Sequence, residues 1–566
     1  MYSTLRLTQL ESPSPTESET KSGSNTKLAK GNTMKRRDFV KTLPVAALAG
    51  AAAQNSEAQT VASQAGGTPS AGSAAAASDQ GGVHHLLTKE AGTPDYVQHL
   101  RETDMDGIGP DGKPIPGYKA AGAGSTPKIT SHDPAKPHKM KLTKEEQDIL
   151  DGKEGDVKAK LMKTVVRHGE LFGAEKLVDL GGNPHSSTFL GSPALKPIID
   201  LLTECADAGL KSYAPYTINP RPFDLYGVQT DQEQELMIFE SLPLQTELDH
   251  VHARLGARGM DIRSCMCYLP EVGNRPEPGT FVAWGESSAI NAGNSIFGLR
   301  TNRNSMGMEL LCALLGKAPH FGLMTDEGRK AVWLIDVRTS GEPDWGVLGG
   351  AIGEKCIEDV PYIIGIDKYL DGKITPQNLH KLKAMGAATA SSGAVGLYHV
   401  ENLTPDAVQH GRKLLAEGYQ TYVIDDKEIE RVRSNYPNLW PKGQQPTGIN
   451  IGCPHNTFAE MVSWGTRITD ELKKRGLKKV VLPTQMFQSR VVSDHFMMEH
   501  PEMYAALFAA GVRFSNTCTV CFGGFDGYSD DHFNVTNSNK TRKYTTARYL
   551  SDDDMIEVLM TGKIPE

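Results

Sequence analysis

Short apolar runs of strand length, separated by longer helix-patterned segments, constrain this chain more than any other feature. Val332-Trp-Leu-Ile-Asp336, Tyr362-Ile-Ile-Gly-Ile366, Gly393-Ala-Val-Gly-Leu-Tyr398 and Lys479-Val-Val-Leu482 each hold at most one charged residue. Between them lie segments with helical spacing, such as Ala407–Leu415 and Phe458–Lys474. A strand that reads as a continuous apolar run is buried on both faces, and alternating helices supply the layers that bury it. The pattern predicts an α/β fold of layered units with mostly parallel sheets.

Regular structure is expected to begin at Leu142. Thr143 followed three residues later by Glu146 has the form of a capping box. Leu161, Val165 and Val166 form an apolar stripe running through Met162 to Phe172, and Lys176-Leu-Val-Asp-Leu180 reads as a strand. The helix ending before Gly476 places Lys473, Lys474 and Arg475 in its last turn, where the helix dipole favours cations.

At 566 residues the chain is long enough for several domains of the usual ~150 residues. Its 39% hydrophobic content excludes whole-chain disorder. Sixty Lys and Arg against 68 Asp and Glu, a net charge of −8, argues against a dedicated nucleic-acid binder. Residues 1–33, rich in Ser, Thr and Lys, read as a disordered leader. Residues 34–60 read as an export signal: Met-Lys-Arg-Arg-Asp-Phe-Val-Lys, then an apolar run from Leu43 to Ala53. Adjacent Arg36 and Arg37 give it the twin-arginine form, which delivers folded proteins outside the cytoplasm, to a periplasmic or extracytoplasmic space. The run is far shorter than the ~20 residues that span a bilayer, and no other stretch approaches that length, so no transmembrane segment is expected. Residues 61–82 are an Ala/Gly/Ser tether, 83–140 an extended arm, and 141–566 the folded body. Folded export suits a protein whose cofactor is inserted beforehand.

Eight cysteines are too few for a disulfide scaffold in a chain of this length. Cys205, Cys312 and Cys356 lie in apolar, helix-like surroundings and read as core. Cys265, Cys453 and Cys518 sit beside turn-forming residues, where a thiolate is free to meet a metal. Three separate loop cysteines holding a cluster would leave one iron open to act as a Lewis acid. Cys518 and Cys521 also form a Cys-x-x-Cys, which fits a zinc half-site or a redox pair as well. The residues alone leave open a cluster-bearing protein, a zinc- or mononuclear-metal-dependent hydrolase and a non-catalytic binding protein.

Several small-residue segments are ordered along the chain. Gly169-Glu-Leu-Phe-Gly-Ala174 is followed by Thr217-Ile-Asn-Pro220 and Ser264-Cys-Met-Cys-Tyr268. Trp284-Gly-Glu-Ser-Ser-Ala289, Asn294-Ser295, Arg300-Thr-Asn-Arg303 and the small-residue turn Ala390-Ser-Ser-Gly-Ala-Val395 follow. Gly452-Cys-Pro-His455, Thr517-Cys518 and Thr536-Asn-Ser-Asn-Lys540 close the series. Together, from about 140 to 550, they resemble the aconitase X family of hydro-lyases, which contains cis-3-hydroxy-L-proline dehydratases and phosphomevalonate dehydratase large subunits.

The resemblance implies an aconitase-like large-subunit core, and an iron–sulfur cluster, 4Fe–4S or 2Fe–2S, on three cysteines: Cys265, Cys453 and Cys518. Cys267 stands where the family usually has proline, and Cys521 is surplus. The implied substrate is a small hydroxy acid such as cis-3-hydroxy-L-proline, with a phosphomevalonate dehydratase-like large subunit or a non-catalytic partner-binding relative as the alternatives. Glu286, Ser287, Ser288, His185, His399 and Lys540 become catalytic candidates. Asn219, Asn294, Arg300, Arg303, Ser391 and Ser392 become substrate-binding candidates. The family's small swivelling domain has no counterpart in this chain, so a separately encoded small subunit is expected as partner. Asn539, where the family tends to have glycine, and Thr541-Arg-Lys543 depart from its pattern.

Overall fold

The computed structural model describes residues 138–565, apart from 225–226, 228–231, 260–261 and 525–531. The leader, the signal, the tether and nearly all of the arm lie outside the described residues. The strands are β1 (Leu177–Asp179), β2 (His185–Ser186), β3 (Thr217–Ile218), β4 (Lys317–Pro319), β5 (Ala331–Val337), β6 (Pro361–Ile364) and β7 (His399–Val400). They continue with β8 (Leu415–Ile424), β9 (Gly448–Ile451), β10 (Thr484–Phe487), β11 (Val512–Ser515), β12 (Asn534–Thr536) and β13 (Arg548–Tyr549). The helices that concern the site are α1 (Lys144–Leu150), α2 (Asp156–Leu171), α3 (Ser287–Ser295), α4 (Leu379–Ser392), α5 (Phe458–Arg475), α6 (Thr519–Gly524) and α7 (Asn539–Tyr544).

Two parallel sheets dominate. One has the order β7-β6-β5-β8 and the other β11-β10-β9-β12-β13. β2 and β3 form a short parallel pair, and β1 with β4 the one antiparallel pair among the described residues. The expected α/β architecture with mostly parallel sheets is the one observed.

β5 is the apolar run Val332–Asp336 extended at both ends, and every residue in it except Asp336 is buried. Such full burial is worth roughly 1.5–3 kcal/mol for each large apolar side chain. The first helix starts as expected: the Thr143 amide donates to Glu146 Oε2 at 2.8 Å and the Glu146 amide to Thr143 Oγ1 at 3.2 Å. α5 ends at Gly476, φ +66, behind its three basic residues. Cys205, Cys312 and Cys356 are all buried in the core. Among the described residues no helix is long and apolar enough to cross a membrane.

Four local expectations are corrected. Gly393–Tyr398 is not a strand, because the Gly393 amide closes helix α4 on Thr389 O at 3.1 Å, and only His399 and Val400 pair with β6. The stretch Ala390–Val395 is accordingly not one turn, since its first three residues complete α4. Lys479–Leu482 is a connector: the Val480 and Val481 amides donate to Ala510 O and Leu559 O at 2.9 Å instead of joining a ladder. The helix expected over Ala407–Leu415 ends at His410, where Gly411 takes φ +56 and a 3-10 turn follows.

Candidate active site

A parallel sheet brings the carboxyl ends of all its strands to one edge, and ligands collect in the crevice outside them. Leaving β9, the chain turns through Gly452-Cys453-Pro454-His455 toward α5. Leaving β11 it passes Thr517-Cys518 into α6, and leaving β12 it passes Asn537-Ser538 into α7, which carries Lys540. Residues far apart in sequence thus share one edge by topology alone. Gly452 has φ +107, and a Cβ there would lie 2.5 Å from Phe487 O, so the first turn requires glycine. Cys265 approaches the same place from another direction. Its loop is pinned by the Ser264 amide on Ile218 O at 3.1 Å, and its sulfur accepts from the His455 amide at 3.4 Å.

Glu286 occupies the N-cap of α3 and has φ +69, a left-handed conformation uncommon for a residue with a side chain. Its Oε2 accepts from the Ala289 amide at 2.8 Å and from Ser288 Oγ at 2.7 Å. Lys540 donates to its Oε1 in a buried ion pair, and also to Ser287 Oγ at 2.9 Å and Ser288 Oγ at 3.2 Å. Burial alone would push the Glu286 carboxyl up. The Lys540 charge and the hydrogen bonds from Lys540, Ser288 and Ala289 overcome it and hold the carboxyl down at about 2. Burial opposes the Lys540 charge in turn, but Glu286 and Cys453 hold its pKa above the ordinary lysine range. The pair is therefore fully ionised at neutral pH.

The thiols gather around this pair. Cys265, Cys453 and Cys518 are each half-buried, and the charge of Lys540 acts on all three. Burial, then Glu286 and Cys453, push the Cys265 thiol well up. Burial also raises Cys453, whereas the hydrogen bond from Cys521 lowers Cys518. Cys267 is fully buried, and Cys521 is half-buried against Cys518. Among the described residues no group of three or more His, Cys, Asp and Glu side chains gathers tightly enough to hold a single ion. The donor set fits a cluster better, because each thiolate then takes a different iron and the sulfurs stand apart. Tyr268 Oη, from the segment bearing Cys265, is buried without a hydrogen-bond partner, and the Thr541 hydroxyl faces the Cys453 thiol.

The structure gathers only some of the candidates. His185 feels the Glu286 charge but bonds elsewhere, with Nδ1 2.9 Å from Thr217 Oγ1 and Nε2 3.0 Å from Asn219 Oδ1; burial pushes it down to about 4, so it is neutral. Asn219 is thus the partner of His185. His399 belongs to the other large sheet, where Nε2 donates to Arg329 O at 2.8 Å. Asn294 holds Thr301 O and Gly396 O at 2.9 Å each and accepts from Arg329 and the Thr301 amide. Arg300 pairs with Asp326 at 2.5 Å, and Arg303 donates to Ala394 O at 2.6 Å and Glu358 at 3.3 Å. Neither arginine shares a partner with Glu286 or Lys540. Ser391 bonds within its own helix to Ala388 O at 3.3 Å, and Ser392 Oγ is buried without a partner.

Two buried cations escaped the sequence reading. Arg329 donates to Asp406 at 2.8 Å and to the Asn294, Leu299 and Leu323 carbonyls at 3.0–3.1 Å. Lys383 pairs with Glu460 at 2.6 Å. Only Glu460 had a local signal, since Thr457-Phe-Ala-Glu460 is a capping-box pattern. Beside the Cys518 loop, whose Cys518 amide donates to Arg221 O at 2.8 Å, lies an open polar cavity of about 530 Å³. Arg221, Asp249, Gln488 and Asn516 line it.

Loop thiols within electrostatic reach of an ionised lysine–glutamate pair, at the carboxyl edge of a parallel sheet, define an α/β protein with a buried, polar, thiol-lined candidate site. Comparison with known proteins is specific. Residues 139–327 match the model of the aconitase X first domain, and 331–434 that of the aconitase X second domain. The phosphomevalonate dehydratase large subunit of Thermococcus kodakarensis is 32% identical over 360 residues, covering 62% of this chain and 82% of its own. The cis-3-hydroxy-L-proline dehydratase of Pseudomonas aeruginosa is 30% identical over 271 residues, covering 46% and 43%. The crystal structure of aconitase X from Thermococcus kodakaraensis, in its holo-form, superposes with a TM-score of 0.61 at 27% identity, covering 75% of this chain and all of that one. The chain belongs to the aconitase X family, and membership places it among the hydro-lyases.

Proposed function

We propose that this chain is the large subunit of an iron–sulfur-dependent dehydratase that removes water from a small hydroxy acid. The observation that carries the reading is the buried Lys540–Glu286 pair among Cys265, Cys453 and Cys518. Losing water from a β-hydroxy acid means taking a proton from the carbon beside the carboxylate and releasing hydroxide from the next. A cluster held by the three thiols supplies, when bound, a Lewis acid for the leaving hydroxyl.

The chain's own residues do the rest. Lys540 stays charged and, with its three donors on Glu286, Ser287 and Ser288, acts through its positive charge on a substrate carboxylate and on the negative charge that grows as the proton leaves. Glu286 is too acidic to serve as a base at neutral pH and acts by fixing Lys540, with Ser287 and Ser288 completing the cradle. Among the described residues, neither Glu286 nor the neutral His185 is assigned as the base, and in this reading that role falls to a group delivered by a small subunit. Similarity over most of the length of large-subunit relatives supports a two-chain enzyme.

Phosphomevalonate is the first substrate to try, because those relatives are matched over 80–82% of their length. The similarity to hydroxyproline dehydratases makes cis-3-hydroxy-L-proline the second. The twin-arginine pattern at Arg36 and Arg37 supports export of the folded, loaded protein; a reporter fused after residue 60 should then require the folded-protein route.

The deciding experiment mixes the anaerobically reconstituted chain with its small subunit and follows each substrate by NMR. Dehydration that requires both chains and the metal is expected. Full turnover by the isolated chain would sink the two-chain reading, and turnover of neither substrate would remove both assignments.

A further inference from the structure

The turn Cys453-Pro454-His455 reaches the surroundings of all three candidate ligand thiols. It carries Cys453 itself. The His455 amide donates to the Cys265 sulfur at 3.4 Å. The imidazole Nε2 of the same residue donates to Thr517 O at 2.9 Å, one residue before Cys518. Three loops of separate origin are therefore joined through one residue.

The turn is itself anchored from behind. Lys383 on α4 has a side chain only 4% exposed, and its ammonium donates to Pro454 O at 3.3 Å and His455 O at 3.1 Å. The same ammonium meets both oxygens of Glu460, at 2.7 and 2.6 Å. Glu460 in turn accepts the Thr457 amide at 2.8 Å, fixing the start of α5 where the turn ends. A lysine so deeply buried is costly unless every donor is used, and here two of its partners are the carbonyls of this turn.

We propose that the Cys453–His455 turn is the template that registers the three thiols against one another, with His455 and Lys383 as positioning residues for the metal site. The proposal rests on the reading that Cys265, Cys453 and Cys518 hold the cluster. Groups behind metal ligands fix the ligands' orientation, and their loss typically weakens metal retention about 10–100-fold. His455 does this for two ligands at once, through its amide to one sulfur and its ring to the loop of another. Lys383 keeps the template in place.

The test uses the full chain, reconstituted anaerobically with iron and sulfide, as wild type, Cys453→Ser, His455→Ala, His455→Gln and Lys383→Met. Glutamine places a side-chain amide near the reach of imidazole Nε2, so it is the conservative rescue. Wild type should hold iron and sulfide, and Cys453→Ser should not. His455→Ala and Lys383→Met should stay folded by circular dichroism. Both should show an altered visible spectrum and lose iron to a ferrous chelator roughly 10–100-fold faster, with His455→Gln returning toward wild type.

Wild-type spectrum and extraction rate in His455→Ala, alongside loss of iron in Cys453→Ser, would overturn the proposal. If Lys383→Met does not fold, the two His455 variants decide alone. Iron retained by Cys453→Ser, or none in wild type, counts against the cluster reading instead. A metal-free readout separates the two failures: in the apo chain, alkylation of Cys518, whose loop loses the ring's hydrogen bond to Thr517 O, should accelerate in His455→Ala and revert in His455→Gln. Equal rates in all three proteins would refute the template whatever the metal content.

Discussion

Replacing Lys540 by methionine removes the positive member of the buried pair and leaves Glu286 with its hydrogen bonds from Ser288 and Ala289 alone. The net fall of the Glu286 carboxyl from an ordinary 4.5 to about 2, in which Lys540, Ser288 and Ala289 together outweigh burial, corresponds, at about 1.4 kcal/mol per pKa unit, to roughly 3–4 kcal/mol, which sets the order of magnitude for the pair. Little of it is lost to solvent, because the two side chains are only 11% and 9% exposed. Stranding one member of a buried pair usually costs about 3–5 kcal/mol, so both arguments give the same order. Lys540→Met should therefore destabilise the apo chain by about 3 kcal/mol. Glu286→Gln should also destabilise it, since Lys540 is then the stranded charge.

The double variant has no unpaired charge, and it should be more stable than the sum of the single effects by roughly 3 kcal/mol. Urea unfolding of the four proteins at neutral pH, monitored by tryptophan fluorescence, measures the cycle. The pH dependence has a definite sign. A depressed carboxyl contributes its stability above its unfolded value and loses it as pH falls through the folded value. The Lys540→Met deficit should thus shrink on acidification, as the stranded carboxyl takes up a proton. Single effects that add within about 0.5 kcal/mol would show that the pair is not coupled, and the electrostatic account of the site would fail.

Other outcomes follow from the same contacts. His185, His252 and His399 are buried and held near 4, below the ordinary 6.5, so an unfolded chain takes up protons between those values that the folded chain refuses. Each contributes up to roughly 3 kcal/mol that is present above pH 6.5 and lost as pH falls toward 4; urea midpoints that do not fall between pH 7 and 4.5 would contradict this. Gly285→Ala would set a Cβ 2.5 Å from Ser187 Oγ and 2.9 Å from its amide, and the overpacking should lower stability by about 1–3 kcal/mol in thermal unfolding. Arg329→Met strands Asp406 and three carbonyls, and a loss of about 3–5 kcal/mol is expected. An unchanged melting temperature would show that this network is dispensable.

What could be read from the sequence was what depends on neighbours along the chain. Thr143 and Glu146 lie three apart, so their capping box is written locally, as is the apolar run of β5. The site-bearing sheet was harder to see. β9 is Gly-Ile-Asn-Ile and β10 is Thr-Gln-Met-Phe, and their Asn450, Thr484 and Gln485 are buried, so neither has the apolar signature of a central strand. The more apolar Lys479–Leu482 took their place in the reading because periodicity cannot tell a buried connector from a strand.

The candidates divide in the same way. Glu286, Ser287 and Ser288 are adjacent, and a family motif carries them together. Arg300, Arg303, Asn294 and His399 have suitable chemistry but are committed to Asp326, Glu358, Arg329 and their carbonyls, pairings that only the fold creates. Lys383 looks like any helix residue in sequence, and its burial against Glu460, 77 positions away in the chain, is a pairing that only the fold creates.

Iron and acid-labile sulfide, counted per chain after anaerobic reconstitution across single serine substitutions of the cysteines, test the central claim most directly. Wild type should hold both, and so should Cys205→Ser and Cys356→Ser, whose thiols lie in the core. Loss of both elements in each of Cys265→Ser, Cys453→Ser and Cys518→Ser is the predicted result. Iron and sulfide retained in all three would contradict the account.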